Sequence, residues 1–179
     1  MLINTSNRYG LIFRFLHWLT VALVVGMLMG GAIMTALPSG GLKSLIYDIH
    51  KSIGVVIFLV TALRLTWRLF NPPPRELGRS AVSNYLARVL HVCLYILLFL
   101  QPLFGMLMSQ SFGYPVSVFG WFELPGLIWQ APALGRFFQE VHAVTALVLA
   151  VAVSAHAAAA LKHHFFDRDR TLMRMMVGQ

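Results

Sequence analysis

Seven histidines carry the chemistry open to this chain: His17, His50, His91, His142, His156, His163 and His164. Neutral imidazole is the commonest side-chain ligand for a metal ion, and it also exchanges protons near neutral pH. Five of the seven fall within or at the edge of long apolar runs. Ionisable groups in such runs are expensive and usually functional. Hydrogen bonding inside a bundle accounts for one of them; five need a shared purpose. His142 and His156 are fourteen residues apart. That is close to four helical turns, so a helix puts both on one face, about 21 Å apart along its axis.

The elements that must hold these residues are four apolar stretches, at roughly 11–36, 49–70, 85–108 and 137–162. Each has the 20 or so residues needed to cross a hydrocarbon core about 30 Å thick. Hydrophobic residues make up 58% of the 179 and charged residues 11%, where a soluble domain is about one quarter charged. Backbone polar groups in lipid must be satisfied within the segment, which dictates helices. Pro38, Ser39, Gly40 and Gly41 interrupt the chain after the first stretch, and Asn71 with Pro72–Pro74 ends the second. The third connector carries Pro115, Pro125 and Pro132, with Trp121 and Trp129 suited to a membrane interface. The apolar run from Leu16 is too long for a signal-peptide core and reads as a retained span. The expected fold is therefore all-α, a single integral membrane four-helix bundle over residues 1–179. Cys93 is the lone cysteine. It excludes an intrachain disulfide, a Cys-x-x-Cys-His haem attachment and a cysteine-held iron–sulfur cluster built by this chain alone.

The formal net charge of +8 would suggest nucleic acid in a soluble protein. Here the cations gather at the ends of apolar runs, so the expected partner is membrane lipid and no nucleic acid. Arg8 and Arg14 precede the first span; Arg68, Arg75, Arg79 and Arg88 surround the second connector; Lys162, Arg168, Arg170 and Arg174 follow the fourth span. Lys43, Lys51 and Arg136 are the few on the other side. The positive-inside bias puts both termini and the 72–84 connector in the cytoplasm.

Depth then pairs the histidines. His50 and His142 enter their spans from the outside, while His17 and His156 lie toward the cytoplasmic side. A low-spin b-type haem takes one axial ligand on each side of its iron, and bundle cores build such sites from facing helices. The expectation is two haem b groups, an outer one on His50 and His142 and an inner one on His17 and His156. His91, at the inner level, is an alternative ligand or a partner for a haem propionate. Gly54, one turn after His50, and Ala157–Ala160 leave room for a macrocycle, or simply allow close helix packing. Arg14, one turn from His17, and Arg64 suit propionates, whereas Arg68 reads as a snorkelling cation. His163 continues the face of His156 to the cytoplasmic rim, where a quinone head group could dock. Lys51, beside His50 and against the charge bias, could draw a small anion to the outer site.

These residues together resemble the prokaryotic cytochrome b561 family over nearly the whole chain. The matching stretches are Arg14-Phe-Leu-His17-Trp18, His50-Lys-Ser-Ile-Gly54, Arg64-Leu-Thr-Trp67-Arg68 with Asn71-Pro-Pro-Pro, Arg88-Val-Leu-His91, Glu140-Val-His142 and His156-Ala-Ala-Ala-Ala-Leu-Lys-His163 with its basic tail. The resemblance implies a di-haem cytochrome of the bacterial inner membrane, with ligands from the first, second and fourth spans. It implies electron exchange between a periplasmic donor or small molecule and the quinone pool. Some stand-alone members resemble superoxide:ubiquinone oxidoreductases, which fits this chain's compact size. The fourteen-residue spacing also resembles the cytochrome b subunits of formate dehydrogenases and nickel–iron hydrogenases. The expected function is therefore superoxide oxidation outside and ubiquinone reduction inside, with Lys51 and His163 as the residues facing the two substrates. An electron-transferring membrane anchor is the alternative. A haem-free transporter is disfavoured, because only Asp48 and Glu140 among the acids lie near the spans.

Overall fold

The computed structural model describes residues 1–75, 77 and 80–178. Four long helices dominate: α1 (Leu11–Ala36), α2 (Gly41–Phe70), α3 (Ala81–Ser111) and α4 (Pro132–Lys162). A π-helical turn, His163–Asp167, continues α4, and a short helix α5 (Thr171–Met176) ends the chain. All four long helices have the length and apolarity of membrane spans, with mean hydropathy of 1.8 to 2.1 in their most apolar windows. Leu59, Leu63, Val144, Leu147 and Val151 lie exposed along them. Such faces suit lipid, where apolar exposure carries no penalty.

Helices α2, α3 and α4 begin before the apolar stretches read from sequence. Hydropathy marks only the lipid-immersed part, whereas the helix ends are set by local signals. The Ser80 side chain caps α3 by accepting the Ser83 N–H at 3.1 Å. Pro132 opens α4 in the first turn, where its missing N–H costs nothing. His50 and His142 consequently sit about two and a half turns inside their helices rather than at their starts.

The connector between α3 and α4 holds a small structure that alternation did not reveal. Strands β1 (Ser117–Val118) and β2 (Phe122–Glu123) form a minimal antiparallel hairpin. Three residues connect the strands: Phe119 and Gly120 are left-handed, with φ of 51° and 74°, and the Trp121 N–H closes the turn on the Val118 carbonyl at 3.0 Å. Ser52 of α2 pins this hairpin. Its hydroxyl accepts the Phe119 N–H at 2.9 Å and lies 2.8 Å from the Asp48 carbonyl and 3.2 Å from that of Ser117.

At the opposite end, three segments are tied together. Asn4 donates its backbone N–H to Asn71 Oδ1 at 3.1 Å and its side-chain amide to the Asn71 and Pro72 carbonyls. Arg14 and Trp18 donate to carbonyls of Met175 and Met176. Arg174 donates to the Arg75 carbonyl at 2.9 Å. Both termini and the second connector thus share one end of the bundle. Arg79, counted among the basic residues of that connector, lies outside the described residues.

The core cluster takes one buried residue from each helix: Val24, Ile57, Leu98 and Leu149. Each stands seven residues, two turns, after a histidine of its own helix: His17, His50, His91 and His142.

Ser52→Ala would orphan the Phe119 amide. That bond is only partly buried, so its loss costs about 0.5–1.5 kcal/mol. Hydrogen exchange should show faster opening of residues 115–124, with α1 and α4 unchanged.

Candidate functional site

Each helix brings one imidazole, and α4 two, to the bundle axis. His17, His50, His91, His142 and His156 are all half-buried. The His50 and His142 ring centres are 6.3 Å apart, and those of His17 and His156 are 6.2 Å apart. A first-row metal sits about 2 Å from an imidazole nitrogen, so two rings sharing one metal have centres roughly 6 Å apart. Both pairs match that spacing. His91 also faces His156, at a closer 5.1 Å, so the inner level gathers three imidazoles and the outer level two.

The outer pair has a defined second layer. His142 Nδ1 lies 3.0 Å from the Gln101 backbone carbonyl. Donation there puts the proton on Nδ1 and leaves the Nε2 lone pair available to a metal. The Gln101 side-chain amide, 3.4 Å from Nε2, donates more closely to the His142 carbonyl at 3.1 Å. The Thr145 hydroxyl donates to Gln101 Oε1. Gly105 makes the approach possible: a Cβ there would come within 3.0 Å of His142 Cε1 and 3.3 Å of Nδ1. A Cβ at Gly31 would stand 3.6 Å from His50 Cε1. Gly54 instead faces α1, where a Cβ would touch Met27 at 3.9 Å. The glycines against the outer rings are therefore Gly31 and Gly105, neither singled out from sequence. Gln101, a neutral polar residue in the third span, has no ionisable group to mark it in the sequence.

Around the inner cluster, a cavity of about 70 Å³ opens between His17, His91, His156, Arg64 and Tyr95. One Arg64 guanidinium nitrogen is 2.8 Å from His17 Nδ1, and Arg64 and Arg68 both lie over the Tyr95 ring, at 5.5 and 6.0 Å. Thr61 Oγ1, Arg64 Nε, Trp67 Nε1 and the Tyr95 hydroxyl are buried and find no partner among the described residues. Unpartnered buried polar atoms in one neighbourhood suit a polar ligand. Below them, Arg174 lies over the Tyr9 ring at 5.7 Å. Burial holds the Tyr9 phenol above its ordinary range, against the lowering pull of Arg174, Arg68 and Arg64.

The remaining candidates have other partners. Arg14 is engaged with the C-terminal carbonyls described above. Lys51 Nζ pairs with Asp48 at 2.9 Å and donates to the Pro115 carbonyl at 3.2 Å. His163 Nδ1 is 2.6 Å from Asp169 and 3.3 Å from Asp167. Burial opposes ionisation of Asp169, but hydrogen bonds from Thr171 and His163 outweigh it and hold the carboxyl below its usual range. His163, Asp167 and Asp169 are close enough to share a cation, but Lys162 Nζ already stands 2.7 Å from Asp167 Oδ2.

The family model for prokaryotic cytochrome b561 matches residues 8–178. The chain is 39% identical over 175 residues to cytochrome b561 homolog 2 of Escherichia coli K12, covering 97% of this chain and 93% of that protein. It is 26% identical over 177 residues to cytochrome b561 homolog 1 of the same organism, covering 95% and 97%. It is also 26% identical over 162 residues to a protein of Yersinia pestis named probable superoxide oxidase CybB, covering 90% and 91%. With facing imidazole pairs inside four membrane-spanning helices, the chain belongs to the prokaryotic cytochrome b561 family, bacterial multi-pass membrane proteins of electron transfer that bind b-type haem.

Proposed function

We propose that this protein carries electrons across the bacterial inner membrane, oxidising superoxide at its outer end and reducing ubiquinone at its inner end. The observation that carries the reading is the pair of facing imidazoles at each of two levels, 6.3 and 6.2 Å between ring centres. Two haem b groups, the outer on His50 and His142 and the inner on His17 and His156, would supply one-electron carriers. The equal spacing of the two pairs favours His17 over His91 as the inner ligand. The basic end, with both termini, faces the cytoplasm. The relative named a probable superoxide oxidase supports the outer substrate.

The stoichiometry closes simply. Two superoxide ions each give up one electron and leave as O2; ubiquinone takes both electrons and two protons and becomes the quinol. The chain's own residues position the outer ligand, keep water from the mid-plane and deliver protons. Asp169 holds the His163 ring by Nδ1, which leaves Nε2 to hydrogen-bond a quinone carbonyl and pass it a proton. Asp48 neutralises much of the Lys51 charge at 2.9 Å, so steering of superoxide depends on the balance of the two.

Three measurements test this reading. Replacing His142 by Ala should halve the haem content measured by extraction and leave the inner haem's reduced-minus-oxidised spectrum in place; a variant that keeps both haems contradicts the pairing. Rapid mixing with superoxide should reduce the oxidised protein, and superoxide dismutase should abolish that reduction. Asp48→Asn should speed the step and Lys51→Glu slow it, by roughly 10-fold at low salt and less at high salt. Haems that stay oxidised would leave the membrane-anchor reading in its place. His163→Ala should slow ubiquinone reduction about 100-fold, the typical contribution of a positioned proton donor, at unchanged haem content; unchanged quinone kinetics would move that site away from the α4 terminus.

A further inference from the structure

The inner end of the bundle buries cations for which the described residues offer no anion. Arg174 is 6% exposed, and its Nε has no partner. Among the described residues its guanidinium donates to a neutral carbonyl, that of Arg75. Arg64 Nε is likewise buried and unpartnered. The described ion pairs lie elsewhere, between Lys51 and Asp48 and among Lys162, His163, Asp167 and Asp169. A buried charge without a counter-charge costs several kcal/mol. Arg64 and Arg68 share the Tyr95 ring and Arg174 stands over Tyr9; all three lie near enough to Tyr9 to pull on its phenol.

The Arg64 contact with His17 sharpens the point. A nitrogen that accepts from a guanidinium has no lone pair left for a metal. If the metal is on Nε2 instead, Nδ1 carries the proton and cannot accept from Arg64. Metal ligation by His17 and the 2.8 Å contact therefore exclude each other. Arg64 must turn to another acceptor, and the buried, unpartnered positions on that side belong to a basic cluster that lacks one.

We propose that Arg64, Arg68 and Arg174 form a carboxylate cradle for the propionates of the inner haem, so that the C-terminal helix α5 docks onto the bound cofactor. The cradle rests on the di-haem reading above. Planar guanidinium groups meet carboxylates in a two-point geometry that lysine cannot copy. Arg174 is the distinctive member. It lies about a hundred residues from Arg64 and Arg68 in the chain, and sequence accounted for it as topology alone.

The test uses the purified, haem-loaded full chain in lipid-bilayer discs, titrated potentiometrically. Cations beside the carboxylates favour the reduced, more negative haem. Arg174→Gln should therefore lower the inner haem's midpoint potential by the equivalent of about tenfold in its reduction equilibrium, leaving the outer haem unmoved. Arg174→Lys should recover part of that shift, and it guards against a Gln variant that fails to fold. Trp18→Phe frees the same tail, through its bond to the Met175 carbonyl, without removing a charge. It should raise hydrogen exchange in residues 171–178 with no change in potential. An equal shift in Trp18→Phe would show that tail detachment acts rather than charge, and would overturn the cradle. A phosphate headgroup is the other source of an anion. Protection of residues 171–178 that appears only when phosphatidylglycerol replaces phosphatidylcholine, with the inner potential indifferent to Arg174→Gln, would assign the cluster to lipid and overturn the proposal. Protein purified without haem would sink the di-haem reading and the cradle together, whereas normal haem content with an unmoved potential would sink the cradle alone.

Discussion

A side chain that hydrogen-bonds finds no partner in a hydrocarbon core, so an imidazole on a spanning helix must turn toward the other helices. That constraint organises this bundle. The five span histidines are half-buried and meet one another at its axis, while Leu59, Leu63, Val144, Leu147 and Val151 stay on exposed faces. Helical periodicity does the rest. Fourteen residues on α4 return to the same face about 21 Å away, so one straight helix serves two levels and the partners need only match it in depth.

Between the levels lies a single apolar layer, Val24, Ile57, Leu98 and Leu149. Its position follows from the same period, since each member is two turns from a histidine on its own helix. Such a layer has consequences for the proposed chemistry. It offers no donor or acceptor to carry a proton, and no polar lining to hold water. Electrons need no such chain of partners. The proposed reaction asks for that separation, because superoxide yields an electron without a proton, while the quinone must collect its protons at the inner end. His163, fixed by Asp169 just beyond α4, lies on the side of the layer where protons are needed.

The spans, their order and the depth pairing of the histidines were legible because each depends on periodicity along one helix. What escaped depends on contacts between helices or on short-range geometry. Gly105 matters because α3 and α4 come close enough for a ring to occupy the place of a side chain, and nothing in its neighbours' types announces that. Gln101 contributes chiefly a backbone carbonyl, which every residue has. Lys51 looked like an uncompensated cation until one turn of helix brought Asp48 beside it. Arg14 lies one turn from His17, as its spacing requires, yet its guanidinium reaches the tail carbonyls. The hairpin at 117–123 rests on two left-handed residues, and Phe119 is not a residue type that advertises such a turn.

The arginines of the basic end separate into two groups by burial. Orientation in a membrane asks only for cations near the cytoplasmic surface, and hydrated ones serve it fully. Arg8, Arg75, Arg168 and Arg170 are exposed, and a hydrated cation would meet that demand at little cost. Arg64 and Arg174 do not fit the same account. Both carry a buried guanidinium nitrogen with no partner, a cost that topology neither requires nor offsets. Their contacts are with tyrosine rings, a histidine nitrogen and a backbone carbonyl, all neutral groups. Neutral partners do not settle a buried positive charge. Arg64, 2.8 Å from His17, and Arg174, over the Tyr9 ring, thus keep at the inner end of the bundle two buried positive charges that a bound anion would offset.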